Sequence, residues 1–257
     1  MRIVSLCPSL TELVFDLERG ADLVGVTRFC IHPAYGVASV EKVGGTKNPK
    51  VQRIIELEPD LVLLNAEENR IEDAEALQAS GVACHTSFPR TVPETAAMVR
   101  SIGSAIDASP RAERIALDIE ARERRVRSVA VGLERVRFAY LIWLEPIMVA
   151  AADTFVDALL GLAGGENVFA SLEQRYPTVT PAELAEANPA AVLLSSEPFP
   201  FRDSHAENLA EMTGLPRENF RLVDGELLSW HGSRTPRGID YAESVIEQIR
   251  EAVTSPG

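Results

Sequence analysis

The sequence has few cysteines, no long apolar run and no basic region. Its three cysteines, Cys7, Cys30 and Cys84, are too few for a disulfide framework and fit a reducing compartment. No apolar run approaches the roughly 18 residues of a membrane span. The net charge of −13 argues against a nucleic-acid partner. No signal-peptide pattern precedes the first strand, so we expect a cytoplasmic protein as written, or an extracytoplasmic one if an upstream leader was omitted.

The sequence also lacks the short motifs that mark common enzyme classes. It contains no G-x-S-x-G, no G-x-G-x-x-G and no P-loop. The stretch Gly44-Gly45-Thr46-Lys47 resembles a P-loop in composition only, because a long loop and not a strand precedes it. We therefore expect a protein that is not an enzyme and has no covalent cofactor.

Short apolar runs alternate with amphipathic segments along the chain, which predicts α/β units on mainly parallel sheets. One segment, 109–131, stands out as a single long, rigid helix. Ser109 is a suitable N-cap, Pro110 suits the first helical position, and no Gly or Pro follows until Gly132. We predict an N-terminal lobe at 1–108, the connecting helix at 109–131 and a C-terminal lobe at 132–257. The alternative is a surface helix within one domain.

An internal repeat favours two related lobes. Residues 55–67 (IELEPDLVLLNAE) align without gaps with residues 185–197 (AEANPAAVLLSSE) at an offset of 130. The alternative is chance similarity between two helix–strand segments. The alignment also pairs Glu67 with Glu197, just after equivalent strands, and Glu68 and Glu72 lie near the first. These carboxylates are either solvated surface charge or acidic contacts for a two-fold partner with basic pockets.

Large aromatic side chains are concentrated where predicted strands end. Ligands of open α/β sheets bind beyond the carboxyl ends of the strands, so we expect these rings to line a cleft between the lobes. Such walls suit a large, flat, partly apolar ligand, although about half of the rings would serve packing between the lobes instead. The rings are Phe29, Phe88, Trp143, Tyr176, Phe199, Phe201 and Trp230.

Cysteines and histidines near the same strand ends raise a second possibility. Cys30-x-His32 is a weak ligand pair, because no C-x-x-C or H-E-x-x-H accompanies it. The alternative function is therefore a metal-ion-binding protein or an enzyme that uses Cys7, Cys30, His32 and His231. A third possibility is an interaction module that has lost its ligand and kept Glu67 and Glu197 as contacts.

Four segments resemble the substrate-binding proteins of cobalamin and iron-siderophore ABC importers, the helical-backbone metal receptor superfamily. The chain is most similar to the cobalamin-binding branch. The similarity covers nearly the whole chain. The segments are RIVSLCPSLTELVFDLERGADLVGVT, VGGTKNPKVQRIIELEPDLVLLNAEENR, DTFVDALLGLAGGENVF and YPTVTPAELAEANPAAVLLSSEPFPF.

The resemblance implies two α/β lobes bridged by one long helix, with a corrinoid or a related metal chelate such as a ferric siderophore or haem in the cleft. It also implies that a glutamate of each lobe docks on arginines of an ABC permease dimer: Glu67, Glu68 or Glu72 in the first lobe and Glu197 in the second. We expect a monomer. The expected ligand contacts are Cys7, Arg28, Phe29, Cys30, His32, Phe88, Trp143, Tyr176, Phe199, Trp230, His231 and Arg234.

Overall fold

The computed structural model describes residues 1–254, and contacts divide the chain into two compact units. The first unit comprises residues 1–89, 93–118 and 231–234. The second comprises residues 90–92, 119–230 and those from 235 onward. The division falls inside a long helix, between Asp118 and Ile119. Residues 109–131 were predicted to form a connecting helix separate from both lobes. The predicted boundaries at 108 and 131 stay a prediction.

The first unit is built on a parallel five-stranded sheet of order β3-β2-β1-β4-β5. The central strands β1 and β4 are buried along their whole length, as expected of a parallel sheet covered on both faces. Val4, Val62 and Leu64 from these strands and Leu6, just after β1, form its core with Ile54 and Leu77 from the covering helices. The strands are β1 (Ile3–Ser5), β2 (Leu23–Val26), β3 (Glu41–Lys42), β4 (Leu61–Asn65) and β5 (Cys84–Ser87).

Six helices accompany this sheet, and the sixth continues into the second unit. They are α1 (Pro8–Asp16), α2 (Ala34–Val37), α3 (Val51–Glu56), α4 (Ile71–Ala79), α5 (Val92–Ala105) and α6 (Ser109–Ala130). The α6 helix confirms the prediction to within one residue. Its charged face includes the expected Glu123–Arg127 pair at 2.5 Å, and Arg125 also pairs with Asp240 at 2.9 Å.

The second unit repeats the plan with an antiparallel addition. Strands β10, β9 and β6 lie side by side in parallel, β8 pairs with β6 in parallel, and β7 pairs with β6 in antiparallel orientation. The strands are β6 (Val136–Trp143), β7 (Met148–Val149), β8 (Gly165–Asn167), β9 (Ala191–Ser195) and β10 (Phe220–Val223). The helices are α7 (Phe155–Leu162), α8 (Pro181–Glu186), α9 (Asp203–Thr213), α10 (Gly225–Ser229) and α11 (Thr235–Thr254).

The internal repeat is confirmed at the predicted offset of 130. Helix α3 and strand β4 have the same bounds as α8 and β9 after this shift. The residues between them also correspond, because Glu58 and Asn188 both adopt a left-handed φ of 45°. Two lobes of related α/β topology with mainly parallel sheets are therefore present, whereas the predicted cleft between them stays a prediction.

Some local expectations were wrong. The spacing of Ser9 and Glu12 predicts a capping box, but helix α1 begins at Pro8 and its N-cap, Cys7, makes no side-chain capping bond. Asp153 precedes a helical pattern and is a predicted N-cap for α7, but Thr154 caps this helix, and Asp153 has a left-handed φ of 62°. The spacing of Thr180 and Glu183 also predicts a capping box, and it is confirmed, since the two residues cap α8 reciprocally. Within residues 1–254, no helix combines the length and apolarity that crossing a membrane requires.

Candidate functional site

The carboxyl ends of β1 and β2 enclose a buried cluster of hydroxyls and thiols. Thr11 lies at its centre, with Oγ1 2.9 Å from Ser5 Oγ and 3.1 Å from Cys30 Sγ. Thr27 Oγ1 approaches Cys30 Sγ to 3.1 Å, and Cys7 Sγ lies 3.3 Å from another hydroxyl, that of Ser9. Both cysteines are almost fully buried. The predicted contacts Cys7 and Cys30 therefore lie beneath the surface of the first unit.

Burial also controls the chemistry of these two thiols. Desolvation raises the pKa of Cys7 to about 12, and nearby Glu68 adds to the rise. Burial likewise raises the pKa of Cys30, although hydrogen bonds from Thr11 and Thr27 oppose it. A thiol acts as nucleophile or metal ligand in its ionised form, and here the neutral form is favoured. Within residues 1–254, no group of three or more His, Cys, Asp or Glu side chains is arranged to hold a metal ion.

The loops after β2 and β5 expose large rings on the first unit. Phe29 is 48% exposed and Phe88 is 41% exposed. The guanidinium of Arg28 stacks over the Phe29 ring at 4.9 Å from its centroid, so a cation and a π face are presented together. His32 lies half-buried in the same loop, just before Pro33. These side chains offer a flat ligand both apolar area and positive charge.

Asn65, the last residue of β4, connects the next turn to His231. Its Oδ1 accepts hydrogen bonds from the backbone N–H groups of Glu67 (2.9 Å) and Glu68 (3.1 Å). Its Nδ2 must therefore point away, and it lies 3.1 Å from His231 Nε2. Because an amide NH₂ can only donate, His231 Nε2 accepts. His231 cannot use this nitrogen on the metal of a chelate while the bond persists.

Arg234 is held by an ion pair inside the first unit. Its Nε and Nη2 donate to the two carboxylate oxygens of Glu12 at 2.8 and 2.7 Å. The side chains are only 8% and 16% exposed, so this is a bidentate pair in a largely dry environment. Arg234 was predicted to contact the ligand. The Nε and Nη2 edge of the Arg234 guanidinium is therefore occupied by Glu12 and stabilises the fold.

The second unit carries an aromatic group at the carboxyl end of β6. Trp143 is 40% exposed, and its ring meets Phe199 edge-on with centroids 5.5 Å apart. Phe199 in turn packs on Phe201 at 4.8 Å. Phe201 is 6% exposed and belongs to the hydrophobic core, so packing accounts for that ring. Trp143 presents the exposed end of the group.

Two arginines converge on Asp153 in the same unit. Arg90 Nη1 lies 2.9 and 3.1 Å from the Asp153 carboxylate oxygens, and Arg175 Nε donates to the Asp153 carbonyl at 2.7 Å. Arg175 also stacks over the ring of Tyr176 at 5.4 Å. Both arginines therefore contact Asp153 beside Tyr176, a predicted ligand contact.

Glu197, Ser229 and Trp230 form a second polar group of the second unit. One carboxylate oxygen, Glu197 Oε1, accepts from Trp230 Nε1 at 2.6 Å and lies 2.9 Å from Ser229 Oγ. Trp230 is only 9% exposed. Glu197 also lines an open depression of about 560 Å³ with Asp224 and Glu226. A depression of about 610 Å³ lies elsewhere, at the amino ends of β1 and β2, away from the predicted contacts.

The remaining predicted docking carboxylates lie in or after the turn that follows β4. Glu67 and Glu68 are half-buried, and burial raises the pKa of Glu68. Glu72 lies in the first turn of helix α4, where its own backbone N–H and Arg70 lower its pKa. Glu12, the partner of Arg234, was not among the predicted site residues. No local sequence pattern connects Glu12 with a residue 222 positions away. The place of Glu12 among the buried residues of α1 does indicate that its carboxylate has a polar partner in the fold.

Two α/β units of matching topology, connected through a long helix, define a two-lobed binding-protein architecture. The family model described as "Periplasmic binding protein" matches residues 3–216. The chain therefore belongs to this family.

Similar proteins cover nearly the whole chain. A vitamin B12-binding protein of Vibrio parahaemolyticus is 25% identical over 248 residues, which is 96% of this chain and 89% of that protein. The structure of the periplasmic vitamin B12 binding protein of Vibrio cholerae superposes with a TM-score of 0.85 at 21% identity, covering 97% and 98% of the two chains. A periplasmic heme-binding protein from Roseiflexus sp. RS-1 gives 0.84 at 22% identity, covering 98% of each. The likeness to the solved structures establishes the fold.

Proposed function

We propose that this protein is a non-enzymatic carrier of a corrinoid or a related metal chelate, such as haem or a ferric siderophore. The exposed rings at the carboxyl ends of the strands carry the proposal. Phe29, Phe88 and Trp143 are each at least 40% exposed, and all three lie at or just after the carboxyl ends of strands, where open α/β sheets bind their ligands. Similar proteins are named for binding vitamin B12 or heme, which supports the same ligand class.

Titration with cyanocobalamin, haemin and a ferric hydroxamate siderophore tests this proposal. Calorimetry and the fluorescence of Trp143 and Trp230, corrected for absorption by the ligand, report binding. We expect saturable binding of at least one chelate with a stoichiometry near one. Phe29→Ala and Trp143→Ala should each weaken binding about tenfold or more. Tyr35→Ala is the matched control, because Tyr35 is 87% exposed but lies beside the amino-end depression. No binding of any chelate would refute the proposal.

The alternative of a protein-ligated metal ion or an enzyme is less well supported. It depends on Cys7, Cys30, His32 and His231, but the two thiols are buried with raised pKa values and His231 Nε2 is engaged by Asn65. Stoichiometric zinc or iron in purified protein without a chelate would favour this alternative.

We further propose that the carrier delivers its ligand to an ABC permease dimer through Glu67, Glu68 or Glu72 and through Glu197. The support is the equivalent position of Glu67 and Glu197 in the repeat. Glu67→Lys combined with Glu197→Lys should reduce ATP-dependent ligand uptake by cells. If uptake is unchanged, these carboxylates do not dock. Cell fractionation distinguishes this role from handling of the chelate inside the cytoplasm.

A further inference from the structure

Contacts within the second unit hold the carboxylate of Glu197 in place. Its backbone lies in a turn after β9 that is anchored to the core. Tyr140, which is 1% exposed, donates its hydroxyl proton to Ser195 Oγ at 2.8 Å, and Ser195 Oγ approaches the Glu197 carbonyl to 2.6 Å. The chain can therefore place the Glu197 side chain in a defined position.

Helix α10 packs tightly against the same turn. Gly225, at the start of α10, donates its N–H to Ser196 Oγ at 2.8 Å. A Cβ on Gly225 would overlap the hydroxyl of Ser195 and would lie 2.8 Å from Glu197 Cγ. The close approach brings the end of α10, with Ser229 and Trp230, to the Glu197 carboxylate.

The indole of Trp230 donates a short hydrogen bond to this carboxylate. Ser229 has a single hydroxyl proton, and its Oγ lies 2.7 Å from the Gly225 carbonyl as well as 2.9 Å from Glu197 Oε1. The indole N–H has no such choice, since it is a donor only and lies 2.6 Å from Oε1. A hydrogen bond to an ionised acceptor is stronger than a neutral one, particularly where the donor is buried.

The residues that follow Trp230 also make specific polar contacts. His231 accepts from Asn65, and Arg234 pairs with Glu12, both inside the first unit. Four residues of the 229–234 segment, Ser229, Trp230, His231 and Arg234, thus have specific polar partners. Glu197 supplies the partner at the start of this segment.

We propose that Glu197 is a positioning residue, whose carboxylate orients the Trp230 indole and fixes the start of the 229–234 segment that carries predicted ligand contacts. This role is distinct from docking of a partner. Its effect on ligand binding rests on the proposed function, whereas its effect on the indole does not. Removing the carboxylate should free the indole N–H and loosen the segment, and should weaken ligand binding without direct loss of a ligand contact.

Indole NMR of the ligand-free protein tests the positioning step. The chain has two tryptophans, so Trp143→Phe leaves Trp230 as the only indole resonance. In this background, Glu197→Ala should shift the indole N–H signal and speed its exchange with solvent by about tenfold or more. Glu197→Gln, whose amide oxygen can still accept, should retain most of the protection. Glu226→Gln is the matched control, because it removes one charge from the same depression and keeps the Glu197 carboxylate.

Ligand titration tests whether loss of the Glu197 carboxylate weakens binding. The same substitutions are used, but in protein that retains Trp143. We expect Glu197→Ala to weaken chelate binding about tenfold, with Glu197→Gln within about threefold of the parent and Glu226→Gln unchanged. An unshifted, equally protected indole in Glu197→Ala would overturn the proposal even if a chelate binds. A shifted indole with unchanged affinity would overturn its link to binding. If the parent binds no chelate, the proposed function fails while the indole result still decides the positioning role.

Discussion

At the residue scale, hydrogen-bond direction assigns the state of a histidine. The two backbone N–H groups that point at Asn65 Oδ1 orient its amide, so Asn65 Nδ2 must donate to His231 Nε2. We predict that His231 is the Nδ1–H tautomer near pH 7.5, as measured by long-range ¹H–¹⁵N NMR. His205 is an internal control with the opposite tautomer, because its Nδ1 accepts from the Arg202 N–H at 3.0 Å. An Nε2–H signal for His231 would show that the Asn65 amide is reversed.

Two neighbouring glutamates should respond oppositely to pH. Burial raises the pKa of Glu68, so its ionised form is less favourable in the folded state and destabilises the protein above the folded pKa. Glu68→Gln should therefore increase the free energy of unfolding at pH 7, by less than about 1 kcal/mol given its partial exposure. The gain should vanish below about pH 4, where the carboxyl is protonated in both states.

Glu72 provides the matched control for this experiment. Its pKa is lowered by its own backbone N–H at the start of α4 and by Arg70, so its ionised form stabilises the fold above the unfolded pKa. Glu72→Gln should decrease stability at pH 7, and the difference should disappear as the pH falls through the lowered folded pKa. Urea unfolding at several pH values measures both effects. Changes of the same sign at the two positions would contradict the assignment.

At the element scale, two helical glycines should respond to alanine in opposite directions. Gly103 of α5 faces α6 so closely that a Cβ would overlap the Cβ of Ala112. Gly103→Ala should destabilise the protein by about 1–3 kcal/mol through overpacking. Gly161 of α7 has only the tip of Arg135 nearby, at 3.9 Å. Gly161→Ala should stabilise by up to about 1 kcal/mol through helix propensity. Thermal unfolding compares them, and equal effects would mean that α5 and α6 separate to accept the methyl group.

The helix starts show what the sequence can predict at this scale. Thr180 and Glu183 have the spacing of a capping box, and helix α8 uses it. Ser9 and Glu12 have the same spacing, yet Ser9 is buried inside α1 beside Cys7, and Glu12 binds Arg234. The pattern gives the helix but not its first residue, because a distant ion pair competes for the same carboxylate.

At the scale of the whole molecule, the sequence predicts topology better than it predicts the site. The repeat at an offset of 130 and the length of α6 are properties of local patterns, and both are confirmed. The short strands β3, β7 and β8 escaped prediction, because two or three residues carry too little periodicity. The polar contacts of His231 and Arg234 escaped it as well, since their partners Asn65 and Glu12 are remote in sequence. The ligand contacts as a set stay a prediction.

A bound chelate should stabilise the molecule by an amount that grows with the logarithm of its affinity. A ligand that binds only the folded state, at a free concentration 100 times its Kd, adds about 2.7 kcal/mol to the free energy of unfolding. For a chain of this size each kcal/mol raises Tm by about 2–4 °C, so we expect a rise of about 5–10 °C with the correct chelate. Differential scanning calorimetry with cyanocobalamin and with haemin measures it. ATP serves as a control, because it is also large, flat in part and anionic. An equal rise with ATP would indicate that the arginines that stack on Phe29 and Tyr176 bind anions without selecting a chelate.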